Sequence, residues 1–170
     1  HSFHLQRYDN YLIYQNLCAK MTPSQFELQL RRNKEALGRL ITRTLPVKAG
    51  AIAVQHFRDN FSHEGFVDSS LQLWKPAKRK SDPKNPDNAY KTLLSRRNNL
   101  YKSIKKKVAP GVATVYTDVP YAAAHNEGTN RAGRNHRVRI PKRQFMGQSK
   151  QLETKVRKMI DSEVRKIVNS

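Results

Sequence analysis

The residues best suited to chemistry in this chain are its six histidines and thirteen acidic side chains. A zinc site requires three or four converging ligands, and a magnesium-dependent nuclease requires clustered carboxylates. No His-Glu-x-x-His pair or comparable ligand spacing occurs, and the acids are scattered along the chain. The sequence therefore predicts no metal centre among the histidines, which are His1, His4, His56, His63, His125 and His136.

Motifs for nucleophilic catalysis and nucleotide binding are also missing. The chain contains neither a Gly-x-Ser-x-Gly elbow nor a Gly-x-x-x-x-Gly-Lys-Ser/Thr loop. Its one cysteine, Cys18, excludes an intramolecular disulfide and is interpreted as a small apolar filler. We therefore predict a protein that is not an enzyme and that carries no cofactor.

Composition points to an anionic partner. The 170 residues carry a net charge of +20 with 37% hydrophobic content, which fits one domain with a modest core. A chain this basic attracts polyanions, so nucleic acid is one expected partner class and an acidic protein surface is the other. No apolar run approaches the roughly 18 residues of a membrane span, and no secretory signal is visible. The expectation is a soluble protein that does not contact a membrane.

Two helices are predicted in the N-terminal half. Thr22 and Gln25 flank Pro23 in the pattern of a capping box, and an amphipathic helix of about twenty residues follows. Pro46 is predicted to start a second helix, which the Ser62–Gly65 segment ends. Trp74, the one tryptophan, is interpreted as a core or lid anchor.

The remaining elements complete an α+β fold class with a small antiparallel sheet. Residues 75–91 form a basic loop rich in proline and asparagine. A β-hairpin is predicted around a turn at Ala109–Gly111, with Ala113, Val115 and Thr117 on one face of its second strand. A long amphipathic helix is expected from about Ser149 to Val168, with its apolar stripe mostly in the core.

Residues 121–147 are the segment around which the chain is organised. A short helix from Tyr121 to Glu127 is stopped by Gly128, and a mobile basic loop from Thr129 to His136 leads into a strand at 137–140. A turn led by Pro141 then presents Arg143 and Phe145, a pair with the composition of an interface hot spot. The alternative for Phe145 is a core residue beneath the turn. His125 is expected to make a side-chain hydrogen bond that fixes the short helix against the neighbouring loop.

Two blocks in this segment resemble the phage virion morphogenesis family, the tail-completion proteins of Mu-like phages and prophages. The first has the form Tyr-Ala-x-x-His-x-x-Gly and the second the form Ile-Pro-x-Arg-x-Phe-x-Gly. The matching positions are Tyr121, Ala122, His125, Gly128, Ile140, Pro141, Arg143, Phe145 and Gly147. The similarity extends over most of the chain from Met21 onward. Lys142 and Gln144 depart from the usual pattern, in which smaller or proline residues flank the arginine.

The resemblance implies a structural protein that acts late in tail assembly. It would form a ring with its own copies and contact tail or connector proteins, in the host cytoplasm during assembly and then in the virion tail. On this hypothesis the interaction residues are Tyr121, His125, Gly128, Pro141, Arg143 and Phe145.

The basic residues leave two interpretations open. They either dock acidic patches on assembly partners or contact DNA phosphates without reading sequence, and a sequence-nonspecific nucleic-acid-binding protein is the alternative function. The candidate polyanion contacts are Lys78, Arg79, Lys80, Lys105, Lys106, Lys107, Arg131, Arg134, Arg137 and Arg139.

The expected domain organisation has two parts. Residues 1–20 are predicted to be an extension, either non-native or an arm that docks into a partner groove. Residues 21–170 are predicted to form a single α+β domain with its basic loop at about 75–91.

Overall fold

A computed structural model describes residues 21–169, so the predicted extension at 1–20 lies outside the described residues. The predicted α+β class is confirmed. The helices are α1 (Pro23–Arg39), α2 (Leu45–His63), α3 (Asn99–Ser103), α4 (Ala122–Glu127) and α5 (Lys150–Val168). The strands are β1 (Gly65–Val67), β2 (Leu71–Leu73), β3 (Lys105–Ala109), β4 (Val112–Tyr116), β5 (Thr129–Ala132) and β6 (Val138–Ile140).

A π-helical segment joins the first two helices without a loop. The predicted capping box is confirmed, because Thr22 and Gln25 exchange both of its hydrogen bonds. The π-helical turn spans Leu40–Thr44, and α2 begins at Leu45 with Pro46 in its second position. Pro46 has no N–H for the Thr42 carbonyl four residues earlier. The backbone N–H of Gly111 donates to that carbonyl over 3.1 Å, which ties the β3–β4 turn to the helix.

The core forms around Phe61, which is fully buried near the end of α2. Its ring lies 5.7 Å from both Trp74 and Tyr101, edge to face, and 5.3 Å from Phe145. Aromatic contacts of this geometry stabilise a core beyond the area they bury. Phe57, Leu100, Ile104 and Ala122 complete the buried cluster, so α2, α3, α4 and the turn after β6 converge on one point.

The strands form three separate two-stranded antiparallel pairs: β1–β2, β3–β4 and β5–β6. The predicted hairpin is confirmed as β3–β4, and the Ala113 and Val115 face of β4 is the more buried one. The loop predicted from Thr129 to His136 is wrong in its first half, because Thr129–Ala132 is a strand paired with Val138–Ile140. Strand β5 reads Thr-Asn-Arg-Ala and lacks the apolar alternation that marks a strand, whereas the strand predicted at 137–140 is confirmed as β6.

The last helix begins as predicted, with Ser149 accepting a hydrogen bond from the Leu152 N–H as its N-cap. Its apolar stripe is less enclosed than expected. Leu152, Val156 and Ile160 are half-buried, and no residue of α5 is buried. The helix packs against α2 and α1, and a Lys48–Glu163 ion pair of 2.7 Å joins its C-terminal part to α2.

Candidate docking site

The two sequence blocks of residues 121–147 lie against each other. The backbone N–H of Arg143 donates to the carbonyl of His125 over 2.8 Å. The Asn126 side-chain oxygen accepts from the backbone N–H groups of Phe145, over 2.9 Å, and of Met146, over 3.0 Å. Helix α4 and the Pro141–Gly147 turn are therefore one unit, held together mainly through backbone atoms of the turn.

Side chains from two other elements hold the same turn. Asn60, fully buried in α2, donates to the Phe145 carbonyl over 3.0 Å, and the Trp74 indole N–H donates to the Gln144 carbonyl over 2.7 Å. A segment without regular structure must find partners for its backbone groups when it is buried. Sequence reasoning missed Asn60, although a lone amide between Phe57 and Phe61 in a helical apolar pattern was a usable signal.

Phe145 is a core residue. Only 1% of it is exposed, and it packs on Phe61. The alternative of a core residue beneath the turn is therefore correct, and the interpretation as a displayed interface anchor is wrong. The physical reason is that the clamped backbone on both sides turns the aromatic ring inward.

Arg143 is also buried, with 7% of the residue exposed. Its Nε donates to the Lys75 carbonyl over 2.8 Å and its Nη2 to the Pro76 carbonyl over 3.0 Å. Burial and the neighbouring Arg79 guanidinium lower the pKa of Arg143. The turn therefore uses Arg143 to fix the start of the basic loop instead of presenting it freely.

Gly128 meets a steric requirement between the two blocks. Its φ is +76°, and a Cβ built there would lie 2.7 Å from the Lys142 backbone nitrogen. A Cβ atom cannot lie 2.7 Å from a backbone nitrogen without a clash, and residues other than glycine rarely adopt a φ of +76°. Gly128 is thus needed both to end α4 and to let the turn after Pro141 approach it.

His125 lies half-buried beneath this contact, with the ring of Tyr121 edge-on at 5.9 Å. The predicted side-chain hydrogen bond is not made by any group within residues 21–169, and Nδ1 is buried without a partner there. The main-chain carbonyl of His125 fixes the helix to the turn instead. Burial, followed by the charge of Arg143, lowers the pKa of the His125 imidazole. Tyr121 itself is 45% exposed.

The basic loop is organised by internal hydrogen bonds. Arg79 donates to the carbonyls of Asp87, Lys91 and Leu94 over 3.1, 2.9 and 2.6 Å. Lys80 pairs with Glu64 at 2.9 Å, and the backbone N–H of Thr92 donates to the same carboxylate over 2.6 Å. Partial burial alone would raise the pKa of Glu64, but the hydrogen bonds from Lys80 and Thr92 lower it to about 2.

The other candidate cations divide into engaged and unengaged side chains. Lys105 pairs with Asp118 at 3.0 Å, and Lys106 donates to the Val47 carbonyl over 3.0 Å. The unengaged side chains are exposed and have no hydrogen-bond or ion-pair partner in the described part of the chain. They are Lys78, Lys107, Arg131, Arg134, Arg137 and Arg139.

A cavity of about 460 Å³ opens beside the Arg143 guanidinium. Its lining comes from the start of the basic loop, from His125 on α4 and from the Arg139–Pro141 end of β6. A smaller cavity of about 180 Å³ shares Arg79, His125 and Arg143 with it and reaches Tyr121. Four of the six candidate interaction residues, Tyr121, His125, Pro141 and Arg143, therefore line one or both of these cavities, whereas Gly128 and Phe145 line neither.

The described residues contain no metal-binding cluster. Nowhere in 21–169 do three His, Cys, Asp or Glu side chains group in a way that could hold an ion. Over the same range, no helix combines the length and apolar character required to cross a bilayer.

These features define a small, strongly basic α+β protein whose central site is a clamped turn beside a cationic cavity. The model of the phage virion morphogenesis family matches residues 67–165, more than half of the chain, and the chain belongs to this family. Membership indicates a structural role in assembly of the phage particle. The match begins after α1 and α2, whereas the resemblance was expected from Met21 onward. No curated protein and no solved structure matches the chain.

Proposed function

We propose that this protein completes the phage tail by forming a ring with its own copies and joining the ring to tail or connector proteins. Family membership supports the assembly role. The observation that supports self-association is the uncovered apolar surface of α1. Phe26 and Leu30 lie one turn apart on the same face and are 48% and 53% exposed, and Leu28, on another face, is 49% exposed.

Helix α1 does not use these residues to build the domain core. None of its residues is buried, and the first buried residue after Thr22 is Leu40 in the π-helical segment. Exposed apolar side chains grouped on one element mark interaction surfaces in soluble proteins. A patch that meets a different surface on the next copy generates a ring when the rotation closes.

The mass of the protein in solution tests self-association. We expect light scattering on a size-exclusion column to give one discrete multiple of the monomer mass, unchanged between about 0.05 and about 0.5 M salt because apolar contacts are not screened. Phe26→Glu should reduce the mass. Arg32→Gln is the matched control, since it changes the net charge by the same single unit at an exposed residue of the same helix. A monomer under all conditions would contradict the ring.

The role in tail completion is tested in a lysogen. Deleting the gene and inducing the prophage should leave heads and tails unjoined in electron micrographs. The wild-type chain supplied in trans should restore whole particles, and Phe26→Glu should not. Joined particles without the protein would refute the proposal.

A second function, DNA contact, is favoured by the β5–β6 hairpin and its turn. Arg131, Arg134 and Arg137 are exposed there and have no side-chain partner among residues 21–169. Replacing all three with Gln should reduce the salt dependence of duplex binding by about 2 to 3 in slope, close to one unit per lost phosphate contact. An unchanged slope would exclude the hairpin as a DNA contact.

A further inference from the structure

The cavity beside Arg143 concentrates positive charge without a counterion. Lys75, Lys78, Arg79, Arg139 and Arg143 all line it, and its lining includes no aspartate or glutamate. The adjoining smaller cavity has no acidic lining residue either. Neither Arg79 nor Arg143 forms an ion pair with any residue between 21 and 169.

The two guanidiniums are positioned firmly by carbonyl groups. Arg143 donates from Nε and Nη2 to the Lys75 and Pro76 carbonyls. Arg79 donates from Nε and Nη2 to the carbonyls of Asp87, Lys91 and Leu94. Nη1 of each guanidinium therefore has no hydrogen-bond partner in the described chain. Carbonyl groups fix the geometry, but they do not neutralise the charge. A largely buried guanidinium that lacks an anionic partner is energetically costly, so an anion at this place would be strongly stabilised.

The walls of the cavity between these charges are apolar. Pro76, Ala77, Ile140 and Pro141 contribute to the lining. A site with rigid apolar walls and arginine donors suits a carboxylate carried on a side chain next to an apolar neighbour.

We propose that this cavity binds an acidic segment of a partner protein and seats one of its carboxylates against Arg79 and Arg143. The proposal rests on the assembly function proposed above, because it names the chemistry of the partner. It gives the buried Arg143 a second use, since the residue that fixes the basic loop also supplies the anion-binding donor.

Duplex DNA fits this site less well than an acidic peptide. A phosphate backbone runs along the outside of a stiff helix and contacts protruding cations. Arg143 is 7% exposed and does not protrude. A flexible peptide can insert one carboxylate and place an adjacent leucine on the proline and isoleucine walls.

The test uses the peptide Gly-Asp-Leu-Glu-Leu-Gly-amide, labelled with fluorescein at its N-terminal amine. Its neutral counterpart has Asn and Gln in place of the two acids. Fluorescence anisotropy is measured with the full chain at about 150 mM salt, where long-range attraction is largely screened. The cavity variant is Lys78→Gln with Arg139→Gln, and the matched control is Arg134→Gln with Arg137→Gln. Both remove two charges from exposed side chains without partners in the described chain, but only the first pair lines the cavity.

We expect the acidic peptide to bind and the neutral peptide not to bind. Affinity should fall by about tenfold or more in the cavity variant and by less than about threefold in the control, because directed charge-assisted contacts exceed general attraction. Equal losses in the two variants would show nonspecific attraction and overturn the proposal. Absence of peptide binding would overturn it as well. A 12-base-pair DNA duplex is measured in the same way. The proposal would also be overturned if the cavity variant lost affinity for the duplex selectively but kept its affinity for the peptide.

A second readout separates this proposal from the ring. The cavity variant should keep the wild-type mass in light scattering, because Lys78 and Arg139 are distant in sequence from α1 and do not belong to its apolar surface. A monomeric protein that still binds the acidic peptide through the cavity would refute the ring and leave the cavity proposal intact. A ring that does not bind the peptide would refute the cavity proposal and leave the ring proposal intact.

Discussion

The amide of Asn60 joins two segments that are 85 residues apart in sequence: its Nδ2 donates to the carbonyl of Phe145 over 3.0 Å. Its Oδ1 accepts from the backbone N–H of Val67 over 3.1 Å. One fully buried side chain thus connects the end of α2, strand β1 and the turn after β6. Both backbone groups would lack a partner if the amide were removed.

Asn60→Ala is therefore expected to lower the free energy of unfolding by about 2 to 4 kcal/mol, because it leaves a buried donor and a buried acceptor unpaired. Urea titration followed by Trp74 fluorescence measures this, since the chain has one tryptophan. Asn130→Ala, at an exposed amide in β5, should change stability by less than about 0.5 kcal/mol. Equal effects of the two substitutions would contradict the role of Asn60 in connecting α2, β1 and the turn after β6.

Two glycines should respond oppositely to alanine. Gly128→Ala should cost at least about 2 kcal/mol, because it combines an unfavourable φ of +76° with a clash against the Lys142 backbone. Gly38→Ala should stabilise by about 0.5 to 1 kcal/mol, because the position is helical and a Cβ would meet nothing within 4 Å. Thermal unfolding of both variants and the wild type measures these changes in stability. A Gly128→Ala variant as stable as the wild type would falsify the close approach of Gly128 to the Lys142 backbone.

Acid should weaken the basic loop through Glu64. Its pKa is lowered from 4.5 to about 2 in the folded state, so its stabilising contribution is present above about pH 4.5 and is lost as the pH falls toward 2. The upper bound on this contribution is about 3 kcal/mol, reduced by solvent screening of the partly exposed carboxylate. Unfolding free energies at pH 7 and pH 3 should differ less in Glu64→Gln than in the wild type. Glu153→Gln, at an exposed carboxylate on α5, should behave as the wild type does.

Trp74→Phe isolates one hydrogen bond of the turn. The substitution keeps an aromatic ring against Phe61 but removes the donor to the Gln144 carbonyl. We expect a loss of about 1 to 3 kcal/mol, from the lost hydrogen bond and the smaller ring. Far-UV circular dichroism during urea titration gives the value, because the variant has no tryptophan fluorescence. Unchanged stability would mean that the bond is dispensable.

Elements with local signals were predictable from sequence. The capping box at Thr22, the turn at Pro110–Gly111, the stop at Gly128 and the last helix each depend on residues that are close together in the chain. Local propensity and hydrogen bonding decide such features, so sequence alone was sufficient.

The site was harder to predict because its contacts are long-range. Phe145 and Arg143 lie in a polar turn without periodicity. Nothing local indicates that Asn60, Asn126 and Trp74 hold the backbone around Phe145. Nothing local indicates either that the Lys75 and Pro76 carbonyls bind the Arg143 side chain. Strand β5 escaped prediction for another reason. Its residues, Thr129 to Ala132, are mostly polar and show no hydrophobic alternation, which is the main sequence signal for a strand.

The π-helical turn at Leu40–Thr44 has a consequence for how such a protein can change. A π-helical turn holds one residue more than an α-helical turn, and one residue corresponds to about 100° around a helix. Deleting a single residue from this turn would rotate α1 by that angle about its axis, which leaves the aromatic core around Phe61 in place but changes the contact between α1 and α5. Lineages could thus redirect the Phe26 and Leu30 surface toward a new neighbour through one codon, provided that α5 repacks against the rotated helix.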